Sequence, residues 1–526
     1  MRHDRSVDPV TFIIIGATGD LAQRLLLPAL YRLRADGQIP DRFAVVGFSR
    51  RGWSDDAFRS FARDGIAPGE FDAEAWRRFA AHLYFVPGDS TKDDDLGSLG
   101  RGLAAIEERH ETGGNRIFYV ASPPSTYGPL LTALGHTGLV RRDGPGPWTR
   151  VIMEKPFGHD ETSARELNTL VDQVVGESSV FRIDHYLGKE TVQNMLVFRF
   201  ANTVFEPIWN RRYVDHVQIS FVEDIGIGTR GRFYEEVGVV RDVVQNHVFQ
   251  LLAVIAMEPP VMFDAEGFRN EKAKVLRAIP PARAEHAVRG QYGPGMVRAE
   301  RVRGYREEEG VAPRSVTPTY AAMRLSVENW RWAGVPFYVR AGKRLARKDT
   351  ELAIAFRQPP QMLFRDWDMT ELDPNVLVLR TTEDEGISLQ FAARVPGHRR
   401  QIRSVALDFS YAAMGTAERP AYEHLLLDAL RGVQTFFTRR DEVELQWAIV
   451  DPLLRQWAQQ PPRDFPTYAA GTRWSCSGPS WIPCCGSGRS SPRGISRTMP
   501  PGRRDRRPRT SSSSGPVAAG GAGRSS

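Results

Sequence analysis

A glycine turn between a short apolar strand and a helix is the feature that most constrains this fold. Thr11–Ile15 is apolar and β-branched, GATGDL follows it, and the leucines after Asp20 recur at steps of three and four residues. Gly16 permits a tight turn, and Gly19 lets backbone N–H groups approach a pyrophosphate at the helix N-terminus. This context predicts a dinucleotide-binding turn. Because G-x-x-G is shorter than the full Rossmann pattern, an ordinary turn is the alternative.

Strands alternate with helical stretches over roughly the first 180 residues. The further apolar runs are FAVVGFS, LYFVPGD, RIFYVASPP and RVIMEKPFG. Such alternation predicts β-α units around a parallel sheet. Beyond about residue 190, strand-like segments follow one another with few helices between the later ones, which indicates an antiparallel sheet. We therefore predict an α/β Rossmann dinucleotide-binding domain in residues 1–185, followed by a larger α+β domain with a mainly antiparallel sheet in residues 186–470.

Residues 471–526 differ in composition from the rest of the chain. They are rich in Arg, Ser and Gly and contain ten Arg against one Asp, whereas the whole chain has a formal net charge of +7. The other 470 residues therefore sum to −2. We predict that this tail is disordered. Because the positive charge lies in the tail, it gives little support for nucleic-acid binding by the folded part.

The cysteine positions bear on compartment. Cys476, Cys484 and Cys485 all lie in the tail, so the body can hold no disulfide and no thiolate site. A reducing, cytoplasmic setting fits this distribution. The early apolar run FIIIGA is far too short to span a bilayer, so we expect neither a secretory signal nor a membrane anchor. Since no His/carboxylate cluster has metal-ligand spacing, we expect no metal.

The end of the second predicted strand bears on cofactor choice. Enzymes that prefer NAD usually place an acidic residue there to bind the ribose 2′-hydroxyl. This chain has Ser49, Arg50 and Arg51 instead. A guanidinium suits the 2′-phosphate of NADP, which it can bind with two hydrogen bonds. NADP is the predicted cofactor and NAD the weaker alternative, while a surface arginine pair would fit this pattern equally well.

The segment RIDHYLGKE, residues 182–190, concentrates side chains that are costly to bury. In extended geometry, Asp184 and His185 would point to opposite sides. One could then face a catalytic partner while the other faces a bound anion, with Tyr186 and Lys189 extending the second set. Several donors together offset the desolvation of a phosphate dianion, so the pattern favours a phosphate site. A polar domain junction is the alternative.

A second basic segment, RAGKRLARK, could complete the same anion site. It would contribute Lys343 and Lys348. Its composition alone favours an ordinary solvated loop, which is the alternative.

The predicted helix GVVRDVVQNHVFQLLAVIAM carries a histidine on its apolar side. At the α-helical rotation per residue, His247 lies about 140° from Asp242. Asp242 is therefore poorly placed to hold the ring, and a catalytic His247 would need a carboxylate from another segment. Asp184 is the best candidate for this carboxylate by its chemical type, although the sequence does not establish a contact. A buried structural histidine is the alternative.

Six segments stand in the same order as in glucose-6-phosphate dehydrogenase, and the chain resembles that family from about Phe12 to Tyr468. The segments are GATGDLAQRLLLPALYRL, EKPFG, RIDHYLGKE, GVVRDVVQNH, NWRWAGVPFYVRAGKRL and AYEHLLLDALRG. The resemblance implies oxidation of D-glucose 6-phosphate to 6-phospho-D-glucono-1,5-lactone with reduction of NADP to NADPH, the first step of the pentose phosphate pathway. It also implies a homodimer or homotetramer.

The same resemblance implies roles for single residues. His247 matches the general base, and Asp184 matches the carboxylate that orients it. The residues that match substrate contacts are Lys155, His185, Tyr186, Lys189, Glu223, Asp242, Lys343 and Lys348. The residues that match cofactor contacts are Gly16, Ala17, Thr18, Gly19, Asp20, Leu21, Arg50, Tyr127 and Lys155.

Two features depart from the family pattern. Thr382 stands where relatives usually carry Gln, which leaves the substrate affinity open. After YAAGT the sequence no longer follows the family, and we hypothesise a reading-frame change near Thr472, which resequencing would test.

Three other hypotheses remain at this point. The chain could be a Rossmann oxidoreductase for another phosphorylated sugar, an inactive NADP-binding regulator, or a nucleic-acid binder acting through its basic tail. The presence of His247, Asp184 and Lys189 disfavours the regulator.

Overall fold

The computed structural model describes residues 6–142, 144–359, 363, 373–382, 384–398, 400–415 and 419–472. The three cysteines lie outside the described residues. So does the predicted disordered tail, apart from Gly471 and Thr472. The hypotheses of tail disorder, of a frame change and of nucleic-acid binding by the tail therefore stay predictions.

The first sheet has six parallel strands in the order β3-β2-β1-β4-β5-β6. Its strands are β1 (Val10–Ile15), β2 (Phe43–Ser49), β3 (Leu83–Pro87), β4 (Arg116–Val120), β5 (Thr149–Met153) and β6 (Val180–Arg182). Every residue of β1 is buried, as expected for a central strand covered on both faces. This strand order is that of the doubly wound dinucleotide-binding fold. The predicted Rossmann architecture is confirmed.

Among the described residues, six α-helices accompany this sheet. They are α1 (Leu27–Ala35), α2 (Asp55–Asp64), α3 (Ala73–Ala80), α4 (Asp93–His110), α5 (Tyr127–His136) and α6 (Glu161–Val174). The helix after the glycine turn contains a π-helical turn over Ala22–Leu26, which ends two residues before Pro28. Because proline has no N–H to donate, a change of helical register at this point is a natural way past it.

The second sheet has eight strands in the order β17-β16-β15-β14-β7-β13-β12-β8. The strands of the second half are β7 (Val214–Val222), β8 (Ala287–Gly290), β9 (Tyr292–Gly293), β10 (Gly295–Val297), β11 (Glu300–Val302), β12 (Tyr320–Ser326), β13 (Pro336–Gly342), β14 (Asp349–Phe356), β15 (Val376–Arg380), β16 (Gly386–Arg394), β17 (Ile402–Ser410) and β18 (Tyr468–Ala469). Neighbours in the eight-stranded sheet are antiparallel except β7 with β13. The predicted, mainly antiparallel sheet is confirmed.

The helices of the second half are α7 (Glu190–Phe200), α8 (Gly231–Val239), α9 (Phe249–Ala256), α10 (Ala265–Arg277), α11 (Ala421–Arg431) and α12 (Arg440–Gln459). A π-helical segment, Val240–Val248, joins α8 to α9. By length and composition, the stretch Gly228–Ala256 is the one helix among the described residues that could cross a membrane. Since 89% of its most apolar window is buried inside the protein, it has the character of a core helix.

Candidate active site

A cavity of about 300 Å³ lies beside the end of β5, the turn after β6 and the π-helical segment. Seven of the predicted site residues line it. They are Lys155, His185, Tyr186, Glu223, Asp242, His247 and Lys343. The volume suits a small ligand, and the polar lining gives it several hydrogen-bonding groups. The structure therefore brings most of the predicted substrate residues into one place.

The segment RIDHYLGKE forms a buried series of turns between β6 and α7. Successive backbone hydrogen bonds run from Leu187 N to the Asp184 carbonyl, and from Lys189 N to the Tyr186 carbonyl. His185 therefore lies in a turn, so the condition of extended geometry, under which Asp184 and His185 would point to opposite sides, is not met there. Gly188 allows this close packing, because a Cβ there would lie 2.7 Å from the Ala421 carbonyl oxygen of α11.

His247 and Asp184 are in direct contact. The distance from His247 Nδ1 to Asp184 Oδ1 is 2.6 Å, and both side chains are only 3% exposed. Because an ionised carboxylate only accepts hydrogen bonds, Nδ1 carries the proton and Nε2 is left as the basic nitrogen. The backbone N–H of Tyr186 also donates to Asp184 Oδ1, at 3.0 Å. The carboxylate is thus held from two sides.

The electrostatics of this pair favour an ionised Asp184 beside a neutral His247. Burial raises the pKa of Asp184, but the charge and hydrogen bond of His247 outweigh it and bring the pKa down to about 2. Burial lowers the pKa of His247 from its usual 6.5, with Lys155 adding to the effect and Asp184 opposing it. A neutral imidazole at neutral pH is the form that can accept a proton.

The π-helical segment changes the predicted geometry of Asp242. On an α-helix Asp242 and His247 would face different ways, but both line the same cavity. A π-helix joins each N–H to the carbonyl five residues earlier, so residues five apart lie nearly above one another. The prediction that they diverge was therefore wrong. Asp242 is nevertheless not the partner of the ring, because Lys155 and Lys343 bind it.

Two lysines and two carboxylates alternate along one wall of the cavity. Lys155 Nζ lies 2.6 Å from the backbone oxygen and 3.3 Å from Oδ1 of Asp242. Lys343 Nζ donates to Glu223 and lies 3.4 Å from Asp242 Oδ2. Burial raises the pKa of Asp242, but the two lysines outweigh it and hold that pKa well below its usual value. The group presents both donors and acceptors to a polyhydroxylated ligand.

Tyr186 lines the cavity beside His247, whereas Lys189 does not line it. The Tyr186 hydroxyl lies 3.3 Å from Thr350 Oγ1, and Lys189 Nζ lies 5.0 Å from the centre of the Tyr186 ring. Lys189 donates to the Thr381 carbonyl at 2.7 Å. Lys348 is exposed, does not line the cavity, and precedes β14 by one residue.

His185 lines the cavity next to Tyr186. Burial, followed by the nearby charges of His247 and Lys155, keeps its pKa well below the usual 6.5. It therefore offers a neutral ring to a ligand.

Thr382, the position that departs from the family pattern, is buried, and its side chain is hydrogen-bonded to the backbone. Its hydroxyl accepts a hydrogen bond of 2.8 Å from the Thr350 backbone N–H. It does not line the main cavity.

The glycine turn has the geometry that a dinucleotide requires. Gly16 has φ +86°, and a Cβ there would lie 2.8 Å from the Ala121 carbonyl oxygen, so only glycine fits. Ala17 is buried beneath the turn, while Gly19 and Asp20 are exposed and Leu21 is half-buried at the start of the helix. This cradle of backbone before a helix fits a pyrophosphate.

The end of β2 fits the adenosine side of NADP. Thr18 Oγ1 lies 3.2 Å from Ser49 Oγ, which ties the glycine turn to this strand. Arg50 and Arg51 follow and are both exposed, and Arg51 stacks on Trp53. Arg50 is thus exposed at the end of the strand where a 2′-phosphate is expected to bind.

Tyr127, for which the resemblance implies a cofactor contact, is buried in this structure. Its side chain is 1% exposed, and its hydroxyl donates to the Glu154 carbonyl at 3.0 Å. This hydrogen bond ties Tyr127 to the strand end that carries Lys155, and the cofactor contact stays a prediction.

Sequence reasoning missed four polar residues that line the cavity: Glu154, Arg230, Arg241 and Tyr422. The Glu154 carboxylate accepts hydrogen bonds from Tyr119 and, at 2.9 Å, from Tyr422. Burial raises the pKa of Glu154. Tyr422 belongs to the AYEHLLLDALRG segment, which had signalled the family but carried no assigned role. Among the described residues, no group of three or more His, Cys, Asp or Glu could hold a metal ion.

Comparisons with known proteins identify the chain's relatives. Residues 13–194 match the family model "Glucose-6-phosphate dehydrogenase, NAD binding domain", and residues 196–480 match "Glucose-6-phosphate dehydrogenase, C-terminal domain". Glucose-6-phosphate 1-dehydrogenase of Chlamydia pneumoniae is 44% identical, covering 90% of this chain and 94% of that protein. Glucose-6-phosphate 1-dehydrogenase 2 of Mycobacterium tuberculosis is 46% identical, covering 90% and 92%.

Two solved structures share the fold over nearly their full length. One is a glucose-6-phosphate dehydrogenase in complex with its substrate glucose-6-phosphate, with a TM-score of 0.82 and 33% identity. The match covers 90% of this chain and 97% of that one. The other is glucose-6-phosphate 1-dehydrogenase from Mycobacterium avium, with a TM-score of 0.74, 37% identity, and 89% and 95% coverage.

Proposed function

The chain belongs to the glucose-6-phosphate dehydrogenase family, and from that premise we propose how its residues divide the reaction. The enzyme oxidises D-glucose 6-phosphate to 6-phospho-D-glucono-1,5-lactone and reduces NADP to NADPH, the first step of the pentose phosphate pathway. The observation that carries the proposal is the 2.6 Å contact between His247, which lines the main cavity, and Asp184 behind it.

His247 is the general base in this proposal. Its Nε2 accepts the proton of the C1 hydroxyl as the C1–O bond becomes the lactone carbonyl. NADP, when bound, accepts the hydride from C1. The lowered pKa of His247 supports this role, because the ring is neutral before the reaction.

Asp184 orients the base and stabilises the cation that forms on it. The hydrogen bond to Nδ1 fixes the tautomer, and the negative charge attracts the imidazolium once Nε2 has gained its proton. An Asp184 pKa of about 2 keeps the carboxylate ionised throughout the neutral range. The proton therefore stays on His247 and does not pass to Asp184.

The alternating wall of Lys155, Glu223, Asp242 and Lys343 binds the sugar hydroxyls. A hydroxyl can donate to a carboxylate and accept from an ammonium, so this arrangement suits it. The sequence analysis gave Lys343, in the basic segment RAGKRLARK, as a candidate for the phosphate site. Its contacts with Glu223 and Asp242 favour the sugar end instead, since two carboxylates beside it would repel a phosphate.

The phosphate binds against His185, Tyr186 and Lys189. Lys189 supplies the charge, while the Tyr186 hydroxyl and the neutral His185 ring supply hydrogen bonds. Lys348, exposed at the start of β14, supplies a second charge from the rim. Thr382 acts indirectly, by holding the backbone of Thr350 beside Tyr186.

The glycine turn and Arg50 hold the cofactor. The backbone of residues 16–21 cradles the pyrophosphate, and Arg50 binds the 2′-phosphate that distinguishes NADP from NAD. Lys155, just after the end of β5, lines the main cavity and would lie between the sugar and the bound cofactor. We keep residues 1–185 and 186–470 as the proposed domain limits, and the boundary falls in the turn between β6 and α7.

A second copy of the chain covers the outer part of the antiparallel sheet. The edge strand β17 exposes Leu407 and Phe409 on one face, by 62% and 40% of their surfaces. Long edge strands with exposed apolar side chains pair or are covered. Leu407→Glu should lower the molecular mass measured by light scattering, whereas Met262→Glu, an equally exposed apolar position, should not. An unchanged mass for Leu407→Glu contradicts this interface.

The proposed location is the cytoplasm. The lack of cysteine in the first 470 residues fits a reducing compartment. The activity itself is tested by following the absorbance of reduced nicotinamide with glucose 6-phosphate and either NADP or NAD. We expect reduction of NADP at a higher kcat/KM than NAD. No reduction with either cofactor contradicts the proposed reaction.

A further inference from the structure

A second, small cavity lies against the carboxylate of the catalytic pair. Its volume is about 30 Å³, and its walls include Arg182, Asp184, Thr438 and Gln446. Gln446 comes from α12, which is remote in sequence from every site residue assigned so far. The main cavity is lined by His247 and not by Asp184, whereas this one is lined by Asp184 and not by His247.

Three buried polar atoms on these walls have no hydrogen-bond partner among the residues that the structure describes. They are Asp184 Oδ2, Gln446 Nε2 and Arg182 Nε. The side chains of all three residues are nine-tenths buried or more. A buried donor or acceptor without a partner is strongly disfavoured, and an ionised carboxylate oxygen most of all. The cavity beside them is where a partner can lie.

The donor and acceptor set selects the kind of partner. A cation would meet the Arg182 and Gln446 N–H groups, and an anion would meet the Asp184 carboxylate, so both are repelled from one side. Water both donates and accepts, and can serve all three atoms at once. A buried water needs about 10–15 Å³ of such volume and two to four polar partners, and this cavity provides both.

We propose that a water molecule in this cavity accepts a hydrogen bond from Gln446 Nε2 and donates one to Asp184 Oδ2, which makes Gln446 a positioning residue for the catalytic pair. Asp184 Oδ1 is already held by His247 and by the Tyr186 backbone. The water fixes the second oxygen, so the whole carboxylate plane, and with it the His247 ring, has one orientation. The inference rests on the proposed roles of His247 and Asp184.

A crystal structure of the unmodified chain tests the water without reference to catalysis. We expect an ordered water within about 2.6–3.2 Å of both Asp184 Oδ2 and Gln446 Nε2. A dry cavity, or direct hydrogen bonds of these two atoms to other protein groups, overturns the proposal. Because this test uses no variant and no activity, it separates the water site from the assigned reaction.

Kinetics of Gln446→Leu test the positioning role. Loss of the donor should lower kcat about tenfold, with KM for glucose 6-phosphate changed less than about twofold. The less solvated carboxylate attracts the imidazolium more strongly, so the acid limb of kcat should move to higher pH. In the Asp184→Asn background, Gln446→Leu should lower kcat hardly any further, because the two substitutions act on one interaction.

A purely structural role predicts a different pattern. It would lower stability in both backgrounds and leave the pH profile in place. Gln291→Leu is the matched control, since Gln291 is fully buried but donates to the carbonyls of Ser315 and Thr317, away from the catalytic pair. We expect the control to keep the parent's acid limb. An unshifted acid limb for Gln446→Leu, or an equal loss of kcat in the Asp184→Asn background, overturns the positioning role.

Discussion

His247 donates from Nδ1 to Asp184 Oδ1 across 2.6 Å, although the two residues are 63 positions apart and belong to different elements. The ring is also enclosed by other rings, with centroids of His185 and Tyr186 at 4.5 and 4.6 Å and Phe221 stacked at 5.9 Å. The hydrogen bond and the packing together leave the imidazole one orientation. A base held in this way loses little orientational freedom in the transition state.

Asp184→Asn should lower kcat and move the acid limb of its pH profile. Burial lowers the pKa of His247 and the Asp184 charge opposes this, so removing the charge lowers that pKa further. Activity is lost as pH falls through the His247 pKa; the limb should therefore shift to lower pH, with kcat reduced about a hundredfold. Measurement of kcat at saturating substrate from pH 5 to 8 checks this. An acid limb that stays in place or rises argues against the pair.

Lys189→Met should weaken binding of the phosphate group selectively. It removes a charged donor, so kcat/KM for glucose 6-phosphate should fall about tenfold to a hundredfold. The value for glucose, which has no phosphate, should change by less than about twofold. Lys274→Met is the control, because Lys274 lies 64% exposed on α10. Equal losses for both sugars would place Lys189 elsewhere in the mechanism.

Arg50→Ala should reduce the preference for NADP. Loss of a guanidinium from the 2′-phosphate should raise KM for NADP about tenfold or more, and leave KM for NAD nearly unchanged. Arg78→Ala, on the exposed face of α3, serves as the control. Steady-state kinetics with both cofactors measure the ratio. A parallel rise of KM for NADP and NAD would show that Arg50 does not read the 2′-phosphate.

Glu442→Leu should destabilise the protein through a buried ion pair. Lys272 and Glu442 are 2.8 Å apart and both fully buried, and burial lowers the pKa of Lys272. Removing the carboxylate leaves the ammonium without its counter-charge, at a cost of about 3–5 kcal/mol in the free energy of unfolding. Urea denaturation measures this. The double variant Lys272→Met/Glu442→Leu should regain most of the loss, and no recovery would argue against an electrostatic cause.

The Rossmann half could be predicted because short stretches of sequence specify its strands and its glycine turn. Buried parallel strands read as short apolar runs, and the strand-turn-helix context of GATGDL limits what the glycines can do. The predicted strand Phe43–Ser49 agrees with β2 at both ends. The sequence predicted a tight turn at Gly16, and its φ of +86° shows why glycine is needed there.

Other elements escaped prediction because tertiary contacts decide them. The helix through His247 was expected to be α-helical, but no residue type marks a π-helical segment, and this one places Asp242 and His247 on the same cavity. Gly432, whose φ of +72° ends α11, separates this helix from α12. The edge strand β17 is exposed along most of its length, so it lacks the apolar run of a buried strand.

The residues of the site also fall into two groups, those that motifs predicted and those that only the folded structure reveals. Motifs predicted Lys155, His185, Tyr186, Glu223, Asp242, His247 and Lys343, all of which line one cavity. Tyr422 and Gln446 could not be found from the sequence, because each lies on a C-terminal helix that reaches the site only through the folding of the whole chain. Their polar groups have a role only because the fold places Tyr422 beside the buried carboxylate of Glu154 and Gln446 in the small cavity that Asp184 also lines.

Substitution of the base is the most direct test of the central claim. In His247→Asn, kcat should fall by a factor of about 10² to 10⁴, because only general-base catalysis is removed, while KM for glucose 6-phosphate should stay within about threefold. The main cavity keeps its lysines and carboxylates, so the substrate should still bind. Turnover near that of the parent enzyme would contradict the assignment of His247 as the base and, with it, the role given to Asp184.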